Sequence, residues 1–291
     1  MAGKEKLESN IPQATKTHNV CAGIDEAGRG PVLGPMVYGL CFCPLSEKER
    51  FAQMGFADSK QLSEEKREKL FEDIKKATEF VGWSVEILSP SFISTSMLAR
   101  SKYNLNALSH DSAIGLVKRA LDNGVNITEL YVDTVGDPAK YQAKLSQLFP
   151  HIQITVAAKA DSLFPIVSAA SICAKVIRDE AVKNWQFVEA LPYDCTSYES
   201  YGSGYPGDAH TKEWLESVCD PVFGFPQFVR FSWSTVDKLL ERKATAVEWE
   251  DDDEDEQPKG TVTLSQFFSK KDKVKKHRFF EERKLSTVQD L

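Results

Sequence analysis

The sequence predicts an α/β fold: a mixed sheet flanked by helices, then a C-terminal helical extension and a disordered tail. Three observations predict it. From Val20 to about Ala190, short strand-like stretches alternate with helix-like ones. Their order is β-rich first and then αβαβα, which suits a sheet of mixed direction with helices on its faces. Beyond residue 190 the chain turns to loop and helix, and beyond residue 247 to charge.

The elements follow in order. Residues 1–19 are polar and are expected to form a flexible N-terminus. Val20 to Asp25 reads as a short strand and Val37 to Cys43 as a second. Val81, Trp83, Val85 and Ile87 alternate with period two, which argues a third. Between them Leu70, Phe71, Ile74 and Ala77 line one helix face, with Ser63 placed to cap it. Leu108, Val117 and Leu121 mark a helix after Asn104. Leu130 to Asp133 ends a fourth strand. Asp137-Pro138 is a helix start, an N-cap with Pro at the first position. Ile152, Ile154, Val156 and Ala158 alternate as a fifth strand. Pro165 then opens a long helix running to about Ala190. This gives a core domain at 20–190 and an extension at 191–247, whose residues 208–245 hold one or two helices, including Ser234 to Lys243. An acidic linker spans 248–259 and a basic tail 260–291.

The chain has 291 residues and a formal net charge of −7. That balance argues against nucleic acid only if it is uniform, and it is not. Residues 248–256 hold eight acids and no base, while residues 259–291 carry a net of +5, leaving −4 for the rest. A run that acidic cannot pack and reads as a disordered linker. No apolar stretch approaches the ~20 residues that span a bilayer, so no membrane partner is expected. The six cysteines form no C-x-x-C pair, and the five histidines are scattered. Reduced, mostly buried thiols are expected, with no structural zinc.

The chemistry-bearing pattern is acids after strands. Asp25 and Glu26 end the first strand, Asp133 the fourth, and Asp161 follows the fifth. In an open α/β sheet, ligands gather beyond the carboxyl ends of strands. Three strands would bring four carboxylates to one edge, where like charges disfavour ionisation unless a cation offsets them. Mg²⁺, an oxygen-seeking ion shared between a few carboxylates and substrate phosphates, answers that need. Any one of these acids could be an ordinary cap; their neighbours distinguish them.

The first neighbour is Gly23-Ile24-Asp25-Glu26-Ala27-Gly28-Arg29-Gly30-Pro31-Val32-Leu33-Gly34-Pro35. It is no dinucleotide fingerprint: the spacing from Gly30 to Gly34 is one too long, Pro31 and Pro35 oppose a helix, and two carboxylates would repel a pyrophosphate. Gly28 and Gly30 instead permit close approach of backbone to a ligand, and Arg29 offers a planar donor suited to phosphate.

This loop, Asp58-Ser59-Lys60, Ala158-Lys159-Ala160-Asp161, Val167 to Lys175 and Gly202-Ser203-Gly204-Tyr205-Pro206 together resemble the type 2 ribonucleases H, over about residues 20–250. Ile93 to Leu98 and Val222 to Phe228 resemble the catalytic A subunits of the eukaryotic heterotrimeric branch rather than the shorter bacterial or archaeal enzymes. The resemblance implies an RNase H-like fold and endonucleolytic hydrolysis of RNA in RNA–DNA hybrids. It also implies cutting 5′ of single ribonucleotides in duplex DNA, leaving a 3′-hydroxyl and a 5′-phosphate. It assigns metal binding and catalysis to Asp25, Glu26, Asp133 and Asp161. Two Mg²⁺ ions would serve there, with Mn²⁺ as the alternative. Gly28, Arg29 and Gly30 would contact the ribose 2′-hydroxyl, which distinguishes RNA from DNA. Lys60 would contact phosphate, and Tyr205 would pack against the sugar of the following nucleotide. Lys175 and Arg178 would either touch phosphate or pair with acids, and His210 reads as surface.

B and C subunits are partners implied by the resemblance, their contact falling mainly on the C-terminal extension. Thr261, Leu264, Phe267 and Phe268 have the spacing of a sliding-clamp-binding peptide, with Thr261 where Gln is usual. Lys270 to Arg278 is rich in bases, as in a nuclear import signal, and a nuclear location is expected. Two rival readings stand here: another Mg²⁺ nuclease of the same fold, such as a junction resolvase, and a catalytically silent scaffold at replication sites.

Overall fold

The chain opens with strand β1 (Lys4–Glu8) and one helical turn, α1 (Ala14–Thr17), before the central antiparallel pair β2 (Val20–Ala27) and β3 (Met36–Pro44). Helices α2 (Lys48–Ala52) and α3 (Glu64–Lys76) lead to β4 (Gly82–Leu88). Then come α4 (Pro90–Met97), α5 (Leu105–Asp122), β5 (Ile127–Asp133), α6 (Pro138–Leu148) and β6 (Gln153–Ala157). A turn of helix, α7 (Ala160–Leu163), runs into the long α8 (Pro165–Lys183), and the extension holds α9 (Ala209–Val218) and α10 (Ser234–Lys243). The computed structural model describes residues 3–56, 62–101, 103–191 and 193–246. Lys60 and the whole of 247–291, with Thr261, Leu264, Phe267, Phe268 and the acidic and basic runs, lie outside them.

The strands pair in the order β1-β4-β3-β2-β5-β6. Each neighbouring pair among the first four is antiparallel, whereas β2, β5 and β6 run parallel, so the sheet is mixed. Successive strand side chains point to opposite faces, and the central strands obey this. Ala22, Ile24, Tyr38, Leu40 and Phe42 face a core shared with Leu108, Leu116 and Val117 of α5. Cys21, Val37, Cys41 and Cys43 face the other core, built on Val167, Ala170, Ile172 and Ala174 of α8. All six cysteines are free and five are buried. The small residues of β2 and β3 let α8 press close. A Cβ on Gly23 would strike the Ile166 carbonyl, and one on Gly39 the carbonyl of Ala170.

The predicted helix starts hold. Ser63 accepts from the Lys66 amide at 3.3 Å, Asn104 from Ala107 at 2.9 Å, and Asp137 from Ala139 and Lys140 at 2.9 and 3.1 Å. Two readings are corrected. The N-terminus is not frayed throughout: Lys4 to Glu8 pair in register with Leu88 to Ser84, and Glu8 takes two hydrogen bonds from Arg119 at 2.6 and 2.9 Å. Every residue of β1 is exposed, so the strand carries no apolar alternation to read. Its lysines and glutamates protect an open sheet edge. The long helix stops at Lys183, not near Ala190, because Trp185 and Phe187 leave it to pack on Phe228, at 5.0 and 5.5 Å between ring centres.

The extension joins the rest of the fold through a third core. Val32 and Leu33 of the glycine loop and Val182 of α8 pack among Tyr201, Trp214, Phe228, Val229 and Val236. Among the described residues, no helix is long and apolar enough to cross a membrane.

Candidate active site

Because β2 and β5 run parallel, with Ile24 beside Val132, Asp25 and Asp133 emerge at the same sheet edge. Asp25 is buried, and its Oδ1 accepts from the Glu26 amide at 2.7 Å. Burial first, then the charges of Glu26 and Asp133, push its carboxyl well above the usual carboxylate range, while a Ser171 hydrogen bond from α8 opposes them. Asp133 closes β5, and its Oδ1 accepts from the Ala160 amide at 2.8 Å, fixing the start of α7. Lys159, just before, takes a left-handed backbone (φ 56°), and this sharp turn puts Asp161 in the first turn of α7, buried at 3% exposure.

Glu26 departs from the simplest picture. Strand alternation turns it away from Asp25, toward Tyr38, its pairing partner on β3, and Tyr141; burial first, and then its charge, push both phenols up. Among the described residues no three His, Cys, Asp or Glu side chains form a ready-made metal cage. The donor set, all carboxylate oxygen and with Asp25 burdened by two neighbouring acids, fits a hard divalent cation.

Beside the carboxylates, residues 28–35 form the glycine loop. Gly28 has φ +76°, and a Cβ there would stand 2.7 Å from the Pro35 carbonyl, so only glycine fits. Arg29 is held from α5, donating to Ser109 Oγ at 2.8 Å and Asn106 Oδ1 at 2.5 Å. Gly30 lies against an edge of the Tyr205 ring, whose Cε1 would be 3.1 Å from any Cβ added there. Tyr205 itself is exposed at 53%. The predicted 2′-hydroxyl readers and the predicted sugar-packing tyrosine are therefore adjacent, although 175 residues separate Gly30 from Tyr205.

Sequence reasoning missed what holds this loop. Arg230, at 0% exposure, donates Nε to the Gly34 carbonyl at 2.8 Å, Nη1 to Arg29 at 3.1 Å and Nη2 to Gly28 at 2.6 Å. Trp233 Nε1 donates to Gly30 at 3.1 Å, and its ring lies 4.9 Å from the Arg230 guanidinium. His110 was missed as well. Its ring stacks on Tyr141 at 3.9 Å, and Nε2 lies 3.3 Å from the Val135 carbonyl, behind the loop that follows Asp133. Lys175 and Arg178 both pair with Asp179, at 2.7 and 3.2 Å. His210 is a surface residue 3.9 Å from Glu213.

The model of the family described as Ribonuclease HII matches residues 22–236. The ribonuclease H2 A subunit of Rattus norvegicus is 53% identical over 99% of this chain and 96% of its own, and that of Homo sapiens 52% over the same shares. The Arabidopsis thaliana A subunit is 54% identical over 84% of this chain and 81% of its own. Among solved structures, the Pyrococcus horikoshii ribonuclease H2 superposes with a TM-score of 0.62 at 34% identity, covering 77% of this chain and 98% of that one. The Archaeoglobus fulgidus RNase HII, solved in complex with PCNA, gives 0.61 at 30%, covering 75% and 96%. With its mixed six-stranded sheet and this family match, the chain belongs to the ribonuclease HII family, in the branch of the eukaryotic A subunits, and is an RNA–DNA hybrid ribonuclease.

Proposed function

We propose that the enzyme cuts 5′ of single ribonucleotides embedded in duplex DNA as well as within continuous hybrids, leaving a 3′-hydroxyl and a 5′-phosphate. The observation that carries this reading is the contact of Tyr205 with Gly30. A ribose reader and an aromatic surface for the next sugar stand side by side, the arrangement an RNA-to-DNA junction requires. Asp25, Glu26, Asp133 and Asp161 would hold two Mg²⁺ ions, with Mn²⁺ as the alternative. Bound there, the ions would supply an activated water and offset charge on the leaving 3′-oxygen. The chain's own part is positional. Arg29, fixed by Asn106 and Ser109, would meet phosphate, and the Gly28–Gly30 backbone would meet the 2′-hydroxyl, with Lys60 as a further phosphate contact.

That the relatives are A subunits of ribonuclease H2 supports assembly with B and C subunits. The archaeal relative solved in complex with PCNA supports the sliding-clamp reading of Thr261, Leu264, Phe267 and Phe268, and the basic run Lys270 to Arg278 is the ground for proposing a nuclear location. The test is cleavage by the purified chain, with and without its partners, on three duplexes: one ribonucleotide in DNA, continuous hybrid, and all DNA. Metal-dependent cutting of the first two is expected. Loss of the first alone would reduce the enzyme to a hybrid nuclease, and cutting of the third would favour a junction-type nuclease.

A further inference from the structure

The loop that carries Tyr205 is exposed at Ser203 and Tyr205, and such a loop wanders unless polar bonds fix it. Asp208 immediately precedes α9 and by position should cap it. Its side chain meets that helix only at Thr211. It also turns back, and its Oδ2 accepts from the Ser203 amide at 2.8 Å and the Ser203 hydroxyl at 3.0 Å. The Ser203 amide first, then the Thr211 hydroxyl, hold its carboxyl down at about 2. A Cβ on Gly202 would strike this carboxylate.

Thr211, fully buried on α9, completes the cradle. Its Oγ1 accepts from the Gly204 amide at 2.9 Å and lies 2.9 Å from the Tyr201 carbonyl and 3.0 Å from Asp208 Oδ2. The Gly204 carbonyl accepts from the Val32 amide at 2.8 Å, and the Asp208 amide donates to the Tyr205 carbonyl at 3.0 Å. Tyr205 is thus fastened on one side to α9 and on the other to the glycine loop.

We infer that Asp208 and Thr211 are positioning residues for Tyr205, holding its ring against Gly30 and so setting the enzyme's preference for an RNA-to-DNA junction. The inference rests on the proposed sugar-packing role of Tyr205. Neither residue reaches the carboxylate cluster. Their effect passes through one aromatic ring, where a misplacement of about 1 Å is enough to matter. A merely structural role would weaken both reactions alike.

The experiment measures kcat and KM of the full-length enzyme, with any partner chains it needs, on a single-ribonucleotide duplex and on continuous hybrid. Asp208→Ala is expected to lower kcat about tenfold on the first and less than about threefold on the second. Asp208→Asn keeps an acceptor oxygen and should recover most of the loss. Asp208→Ala combined with Tyr205→Ala should be no worse than Tyr205→Ala alone. Equal losses on both substrates, or additive losses in the double variant, would overturn the inference. If Tyr205→Ala itself leaves the two substrates equally affected, the junction reading fails and the inference with it. If Tyr205→Ala discriminates and Asp208→Ala does not, only the positioning role fails. Should Asp208→Ala not fold by circular dichroism, the near-isosteric Thr211→Val carries the same comparison.

Discussion

Arg230 places a guanidinium where water does not reach and spends it on three backbone carbonyls of the glycine loop. Burial, then the charge of Arg178, push its pKa below the usual guanidinium value. It stays protonated at neutral pH because a guanidinium is so strong a base, and its planar donors meet all three oxygens at once. A lysine keeps the charge but not the fork. Arg230→Lys is therefore expected to cost about 3 kcal/mol or more, read as a lower urea midpoint. Cleavage should fall as well, because the Gly28 and Arg29 carbonyls lose their anchor. An unchanged midpoint with unchanged cleavage would refute the anchor. At Asp25 the expectation is the opposite split. Asp25→Asn removes a charge that burial, Glu26 and Asp133 already disfavour, so circular dichroism and stability should be held or improved while metal-dependent cleavage is abolished. Substantial remaining activity would remove Asp25 from the catalytic set. These two residues also mark what the sequence makes legible. Asp25 sits in a local motif of distinctive residue types. Arg230 acts on backbone oxygens about 200 positions away, and backbone atoms leave no trace in residue identity.

Among the elements, α8 governs the site because it backs both β2 and β3 and carries Ser171 to Asp25. Its closeness depends on glycine. In an open strand Gly→Ala is often mildly stabilising, because it narrows the unfolded ensemble. At Gly39 the new methyl would meet the Ala170 carbonyl, backbone that cannot swing aside. Gly39→Ala is thus expected to destabilise by about 1–3 kcal/mol and to lower activity as α8 and Ser171 shift. A thermal scan showing an unchanged or raised midpoint would contradict the close packing. Element by element, period-two alternation located β4 and β6, and side-chain caps located the starts of α3 and α6, since both signals are local. β1 was illegible because its five residues are all exposed and are held by pairing with β4. The end of α8 was illegible because Trp185 and Phe187 are helix-compatible and are drawn off by a core that forms only once Phe228 arrives. The separation of Asp25 and Glu26 onto opposite faces was legible in principle from the same alternation, and only the shared strand end drew attention.

For the molecule as a whole, the charge balance bears on how an acidic protein engages a polyanion. Residues 1–247 carry −4, the number of carboxylates in the proposed metal set, and residues 259–291 carry +5. Lys175 and Arg178 are committed to Asp179, so these two cations of α8 do not stand ready for phosphate. Bound Mg²⁺ would reverse the local sign at the site, and attraction at longer range would then fall to the tail. Each phosphate neutralised by a protein cation makes affinity steeper in salt, by about 0.9 in the log–log slope for B-DNA. Replacing Lys270, Lys271, Lys273, Lys275, Lys276 and Arg278 with glutamine is therefore expected to raise KM at low salt. It should also flatten the dependence of log KM on log salt by about 1 or more, with kcat nearly unchanged because the carboxylates and the glycine loop are untouched. Kinetics of the full-length variant at four or five salt concentrations read this directly. If the slope is unaltered, substrate affinity resides in residues 1–247 and the bound metal alone, and the tail's charge is left to nuclear import, which localisation of the same variant would then reveal.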